Sequence, residues 1–264
     1  MKESSAHFVP NTILYPDLAG KVAVVTGGSR GLGAATARGL VTNGAAVAII
    51  GRDRKALDAV VDEIASQGGR VIGVTADCTI ESDVKALRDT VTEQLGAVDI
   101  LATFAGGEGM PVPTTKETIV HWRQVIDADL TSTFITISAF LPDMLAQHSG
   151  VIITMSSAAA RQAAKSSLAY AAAKSGVVAL TRHLAQEFAM EGLRVNCIAP
   201  SAIETDRMRA WVPEEQRIAL GAAFPLQRLG QPGDIAAATL FLASAASSWI
   251  TGITLDIAGG KVMV

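Results

Sequence analysis

The chain has little in it that would staple it, span a membrane or give it a field of one sign. Its 264 residues contain two cysteines, Cys78 and Cys197, too few for a disulfide framework or a zinc site, so both are expected to be small buried hydrophobes. The histidines, His7, His121, His148 and His183, show no ligand spacing, and no metal is expected. Aromatic residues make up 5% of the chain. The formal charge is −3 with acids and bases interspersed, which leaves no basic face for nucleic acid. No run approaches the roughly 18 uninterrupted apolar residues of a membrane span. The longest candidate, Leu130 to Pro142, is short and contains Thr and Ser. The N-terminal stretch carries Glu3 and Pro10 and has no hydrophobic leader core. These absences predict a soluble, cytoplasmic protein without membrane or nucleic-acid partners.

What is present is apolar sequence, 49% of the chain, broken into short runs. Residues 1–19 are expected to form an N-terminal arm ahead of a domain spanning 20–264. Lys21 to Thr26, Ala46 to Ile50, Arg70 to Thr75 and Ala97 to Ala102 read as strands, separated by helical segments ending near Asn43, Gln67 and 95. The second half continues with a helix over 126–147, strands at 151–155 and 194–198, and helices to about 191 and over 232–245. A last strand runs from Ile253 to Ile257. Such β-α alternation implies parallel strands joined by right-handed crossovers. The strands are continuous apolar runs, so helices should cover both faces of the sheet. The predicted fold is α/β, a single-domain doubly wound, Rossmann-like parallel sheet. Residues 201–230 interrupt the rhythm and read as a substrate lobe or, alternatively, a surface excursion without a role. Ligands of such sheets lie in the crevice at the C-terminal strand ends.

Two stretches carry candidate chemistry. Gly27, Gly31 and Gly33 form a glycine turn between the first strand and the first helix. There a backbone free of side chains can approach a pyrophosphate, and helix N–H groups can stabilise its charge. Between Ser157 and Lys174 lie a hydroxyl, the phenol of Tyr170 and an ammonium, with Tyr170 and Lys174 four apart in an Ala-rich helix and therefore on one face. Proton transfer to a carbonyl oxygen requires a phenol in reach, a cation that favours its ionised form and a second donor.

These motifs, in this order, resemble the short-chain dehydrogenase/reductase family along about residues 18–260, and 3-oxoacyl-acyl-carrier-protein reductase-like ketoreductases within it. The resemblance implies a catalytic set of Ser157, Tyr170 and Lys174, with Asp129 where the family usually has Asn. It implies cofactor contacts from Gly27, Ser29, Arg30, Gly31, Leu32, Gly33, Arg52, Asp77, Cys78, Ala105, Gly106, Pro200, Ile203 and Thr205, besides Tyr170 and Lys174. Departures stand beside it: Thr103-Phe104 in place of Asn-Asn, Ser201 after Pro200, and Ala258 before Gly259-Gly260. Near Lys174, the added negative charge of Asp129 would stabilise the ammonium and oppose phenolate at Tyr170.

The end of the second strand is Gly51 followed by Arg52, with Arg30 in the glycine turn. An acid there would repel a 2′-phosphate, whereas two guanidinium groups can hold one bidentately. NADP(H) is therefore preferred, with NAD(H) as the alternative. The expected activity is reduction of a small-molecule carbonyl; an NAD-dependent alcohol or polyol dehydrogenase and a nucleotide-binding sensor with weakened catalysis are the alternatives. A homo-oligomer, tetramer or dimer, is expected, on the motive that Phe134, Ile137, Phe140, Ala172 and Ala179 exceed what one sheet face can cover.

Overall fold

The structure is a computed structural model and describes residues 14–107 and 109–263. Seven strands form one parallel sheet: β1 (Val22–Thr26), β2 (Ala46–Gly51), β3 (Val71–Thr75), β4 (Ile100–Thr103), β5 (Gly150–Met155), β6 (Leu193–Pro200) and β7 (Thr254–Ile257). Their spatial order is β3-β2-β1-β4-β5-β6-β7, so the winding reverses between β1 and β4, where Thr26 pairs with Thr103. That reversal opens the crevice in which a doubly wound sheet takes its ligand.

The strand sequences are apolar throughout because both faces are covered. Ala23, Val25, Val47 and Ile49 join Ile100, Ala102 and Ile153 in one core. It packs against α1 (Gly31–Thr42), α2 (Arg54–Ser66) and α9 (Pro232–Ala243). Their neighbours Val22, Val24, Ala48, Ile50, Leu101, Ile152 and Val195 form a second core with α3 (Glu81–Leu95), α5 (Ser132–Ala146) and α6 (Leu168–Phe188). Alternation across a strand thus feeds two layers, and each fully buried Val, Leu or Ile contributes about 1.5–3 kcal/mol. Asp53 caps α2, its carboxylate accepting from Ala56 N.

Several details differ from the sequence reading. The helix expected over 126–147 starts earlier, as α4 (Ile119–Ile126), and passes into α5 through a π turn at Asp127–Thr131. This 28-residue helix has the length and composition to cross a membrane, yet Ile137, Phe140 and Met144 pack on the sheet and Asp129 is buried. Ile137 and Phe140 therefore belong to the core rather than to an outward apolar face, while Phe134 is 57% exposed. The fourth strand begins later than expected, at Ile100; just before it the Asp99 carboxylate accepts from Val22 N and Lys21 Nζ. The sixth strand is longer than expected, running from Leu193 to Pro200, which pairs with Ile257 of the edge strand. Of the expected arm, residues 1–13 lie outside the described residues; Leu18 is buried and Asp17 accepts from Ala245 N. Residues 201–230 hold two short helices, α7 (Asp206–Trp211) and α8 (Glu214–Ala222).

Candidate active site

The glycine turn is built for close approach. Gly27 has φ +68°, and a Cβ there would meet Phe104 O at 2.8 Å; one on Gly33 would meet Gly27 O at 2.3 Å. No side chain fits either place. Across the winding reversal, Thr26 Oγ1 accepts from Phe104 N at 2.9 Å and Ala105 N at 3.0 Å, tying the end of β1 to the loop after β4. The extended N-cap Arg30 gives α1 no side-chain cap, so its first N–H groups keep their capacity for an anion. Gly31 and Leu32 open that helix, Leu32 leaning on the core, and the Thr205 methyl carbon lies 3.5 Å from where a Gly31 Cβ would be.

Gly27, Ser29, Arg52, Asp77, Cys78, Ala105 and Gly106 line one cleft. These residues fit a dinucleotide: a backbone cradle, a helix N-terminus and a basic mouth. Arg52, three-quarters exposed, stands 3.9 Å from Asp77 Oδ2. Arg30 is turned to an ion pair with Asp53 and is not part of the cleft lining. The N–H of Thr79 holds Asp77 below the usual carboxylate range, against a smaller opposing effect of burial. Burial pushes the Cys78 thiol up to about 11, so it faces the cleft as a neutral group rather than a nucleophile. Farther along, Pro200 and Ile203 are buried, Ile203 bridging to Gly230, and Thr205 Oγ1 caps α7 by accepting from Met208 N.

Ser157 follows β5 and caps a 3₁₀ turn at Ala158–Ala160, its Oγ accepting from Ala159 N at 3.2 Å. Ser167 caps α6 through Tyr170 N, which places Tyr170 and Lys174 on the first turns of that helix. Lys174 Nζ lies 5.7 Å from the Tyr170 ring centroid. The ammonium is 3% exposed; it donates to Met155 O at 2.9 Å and pairs with Asp129 Oδ1 at 3.0 Å. Asp129 is fully buried and also accepts from Gly107 N at 2.6 Å. It sits in the π turn, the kind of local irregularity that re-aims a side chain at functional sites. Gly106, at φ +123°, makes room for it. The structure thus brings Tyr170, Lys174 and Asp129 together at the end of β5, beside the cleft.

Sequence reading missed three features here. Gly109 lies against the Tyr170 ring, 3.0 Å from Cε1 to a Cβ built on it. Arg207, on α7, donates to Gly107 O at 3.1 Å, joining the lobe to the same loop. Arg161 forms a two-pronged ion pair with Asp256 of β7. The Gly-rich run 106–109 was a visible signal for the first; neither arginine had one, since its partner is far away in sequence.

Known proteins share both the sequence and the shape. Residues 21–216 match the short chain dehydrogenase family. The chain is 38% identical to cis-4-hydroxycyclohexanecarboxylate dehydrogenase of Sinomonas cyclohexanicum, over 92% of this chain and 97% of that one. It is also 38% identical to the 3-oxoacyl-acyl-carrier-protein reductase of Vibrio cholerae, over 94% and 100%. The solved 3-oxoacyl-acyl-carrier-protein reductase of Brucella melitensis superposes with a TM-score of 0.89 at 32% identity, over 100% and 99% of the two chains. With a glycine cradle at the winding reversal, a phenol–ammonium pair beside it and full-length relatives of this kind, the chain belongs to the short-chain dehydrogenase/reductase family, enzymes that interconvert CH–OH and C=O with NAD(P).

Proposed function

We propose that the protein is an NADPH-dependent carbonyl reductase in which Tyr170 gives its proton to the substrate oxygen. The observation that carries this reading is the buried Lys174 ammonium beside the Tyr170 ring, at the edge of a cleft with Arg52 at its mouth. The backbone of Gly27–Gly33 would hold the pyrophosphate, Arg52 the 2′-phosphate, Asp77 the adenine end, and Pro200, Ile203 and Thr205 the nicotinamide end. When bound, the cofactor supplies the hydride.

The chain's own groups do the rest. Tyr170 donates a proton to the carbonyl oxygen as negative charge develops there. Ser157 Oγ accepts from Ala159 N, which leaves its hydroxyl hydrogen to donate to the same oxygen and fix its direction. Lys174 supplies positive charge beside the phenol, and Met155 O and Asp129 hold that charge in place. The Asp129 carboxylate stabilises the ammonium and works against a second negative charge on Tyr170, which suits the reducing direction.

Two observations favour an NAD-dependent alcohol dehydrogenase as the second reading: Arg30 is already engaged by Asp53, and Arg52 stands near Asp77. Following nicotinamide absorbance against ketones, β-ketoacyl thioesters, quinones and sugars, with each cofactor, tests both. Turnover faster with NADPH is expected; turnover faster with NADH selects the second reading. No turnover of any carbonyl or alcohol overturns both and leaves a nucleotide-binding sensor. The enzyme is further expected to be a cytoplasmic homo-oligomer, with exposed Phe134 on α5 in the contact; a monomer by light scattering at micromolar concentration refutes the assembly.

A further inference from the structure

The Ser157 turn is weakly anchored by its own side chains. Ala158, Ala159 and Ala160 offer only methyl groups, residues 162–165 are exposed, and Ser167 is the next fully buried residue. In between, Arg161 reaches across to the edge strand. Its Nε donates to Asp256 Oδ1 at 3.0 Å and its Nη2 to Oδ2 at 3.1 Å, with the two side chains 15% and 14% exposed. The fork fixes both distance and plane, which a single-point contact does not. Removing such a pair from water is costly, and exchange for apolar groups is often neutral or stabilising, so stability alone is a poor explanation for it. What it supplies is orientation.

The anchor on the other side is part of the sheet. Asp256 pairs in register with Ala199 of β6, and the residues after it seat two further elements. Ala258 and Val262 form a small apolar cluster with Ala158, next to Ser157. Gly259 O accepts from Leu226 N of the lobe, and Gly260 lies against Pro225. The turn carrying Ser157 and the end of the lobe are therefore held by one short piece of chain.

We infer that Arg161 and Asp256 are positioning residues for the Ser157 hydroxyl, clamping its turn to β7 so that it aims at the oxygen Tyr170 protonates. This rests on the functional reading of Ser157 and Tyr170 given above. Neither residue touches substrate; each acts through the backbone of the 157–161 turn.

The test compares steady-state turnover and NADPH binding, the latter by nucleotide fluorescence. Arg161→Ala and Asp256→Asn should each lower kcat roughly ten- to a hundredfold, the scale of an ångström-level misplacement, with NADPH affinity within about twofold. Arg161→Lys keeps the charge but not the fork; it should lose a similar factor and guards against an alanine variant that does not fold. Exchanging the charges, Arg161→Asp with Asp256→Arg, should recover at least about tenfold over either single change. In a Ser157→Ala background, Arg161→Lys should cost less than about twofold more, because the group it aims is gone. Wild-type kcat in Arg161→Lys and Arg161→Ala, or losses that multiply fully in the Ser157→Ala background, overturn this inference alone. Retained turnover in Ser157→Ala and Tyr170→Phe overturns the functional reading and the inference with it.

Discussion

The seat of Asp129 depends on a glycine twenty-three residues earlier, and Gly106→Ala tests that dependence. A Cβ on Gly106 would lie 2.4 Å from Asp129 Oδ1, 3.0 Å from its Cγ and 3.1 Å from Ala128 O. The backbone there, at φ +123°, is one that alanine rarely adopts. Gly20 supplies the control: its φ is +78° and nothing lies within 4 Å of its Cβ position. Gly20→Ala should therefore cost only the backbone penalty, about 1–2 kcal/mol. Gly106→Ala carries at least that penalty, because φ +123° lies outside the left-handed well, and also pushes the carboxylate away from Lys174 Nζ, 3.0 Å distant. Breaking a buried ion pair costs about 3–5 kcal/mol, so the total comes to at least about 4 kcal/mol, a large share of a domain's ~5–15 kcal/mol. Urea unfolding followed by circular dichroism, with all variants fitted to a common slope, measures the difference. Asp129→Ala should by itself cost about 3–5 kcal/mol. The double variant Gly106→Ala/Asp129→Ala should be no less stable than Gly106→Ala alone, because the ion pair can be lost only once. A Gly106→Ala penalty no larger than that of Gly20→Ala, or full additivity in the double variant, refutes the reasoning.

Other expectations follow from the same geometry. Tyr170→Phe should keep the fold and cofactor affinity while lowering turnover by about 10²–10⁴-fold; a substantial residual rate toward a good substrate would show that another group is the acid. Arg52→Asp should weaken NADPH binding by about ten- to a hundredfold and spare NADH, and equal titrations of the two cofactors in the parent protein would refute it. Asp129→Asn should raise kcat for alcohol oxidation at neutral pH by roughly two- to tenfold, since one negative charge fewer opposes the phenolate; an unchanged value would uncouple Asp129 from Tyr170. Hydrogen bonds from Arg88 hold Asp143 below the usual carboxylate range, and Gln231 with Arg209 and Arg217 does the same for Glu204. Carboxylates lowered by folding add stability above their unfolded values and lose it as pH falls through the folded ones. The melting temperature should thus hold above about pH 5 and drop below about pH 4; a flat profile to about pH 3 would contradict it.

How much of this could be read without coordinates depended on how far each signal reaches along the chain. The β-α rhythm, the crevice at the strand ends and the glycine turn are local signals, carried by period or by Gly at a junction. The structure reproduces each of them. The proximity of Tyr170 and Lys174 is equally local, because one helix sets it. The surplus apolar surface assigned to Phe134, Ile137 and Phe140 was only partly there: Ile137 and Phe140 pack on the sheet and Phe134 alone of the three is exposed, because an apolar spacing marks a face without saying what covers it.

Only the tertiary structure could decide the pairings. Asp129 meets Lys174, Arg30 meets Asp53 and Arg161 meets Asp256 across separations of tens of residues. No periodicity in the sequence encodes which acid a given base will find; packing two layers of helices on a twisted sheet does. The placement of Tyr170 and Lys174 on one helix and of the glycines in one turn was legible because it depends on near neighbours. What surrounds them was not, because burial and charge at a site are properties of everything that folds against it.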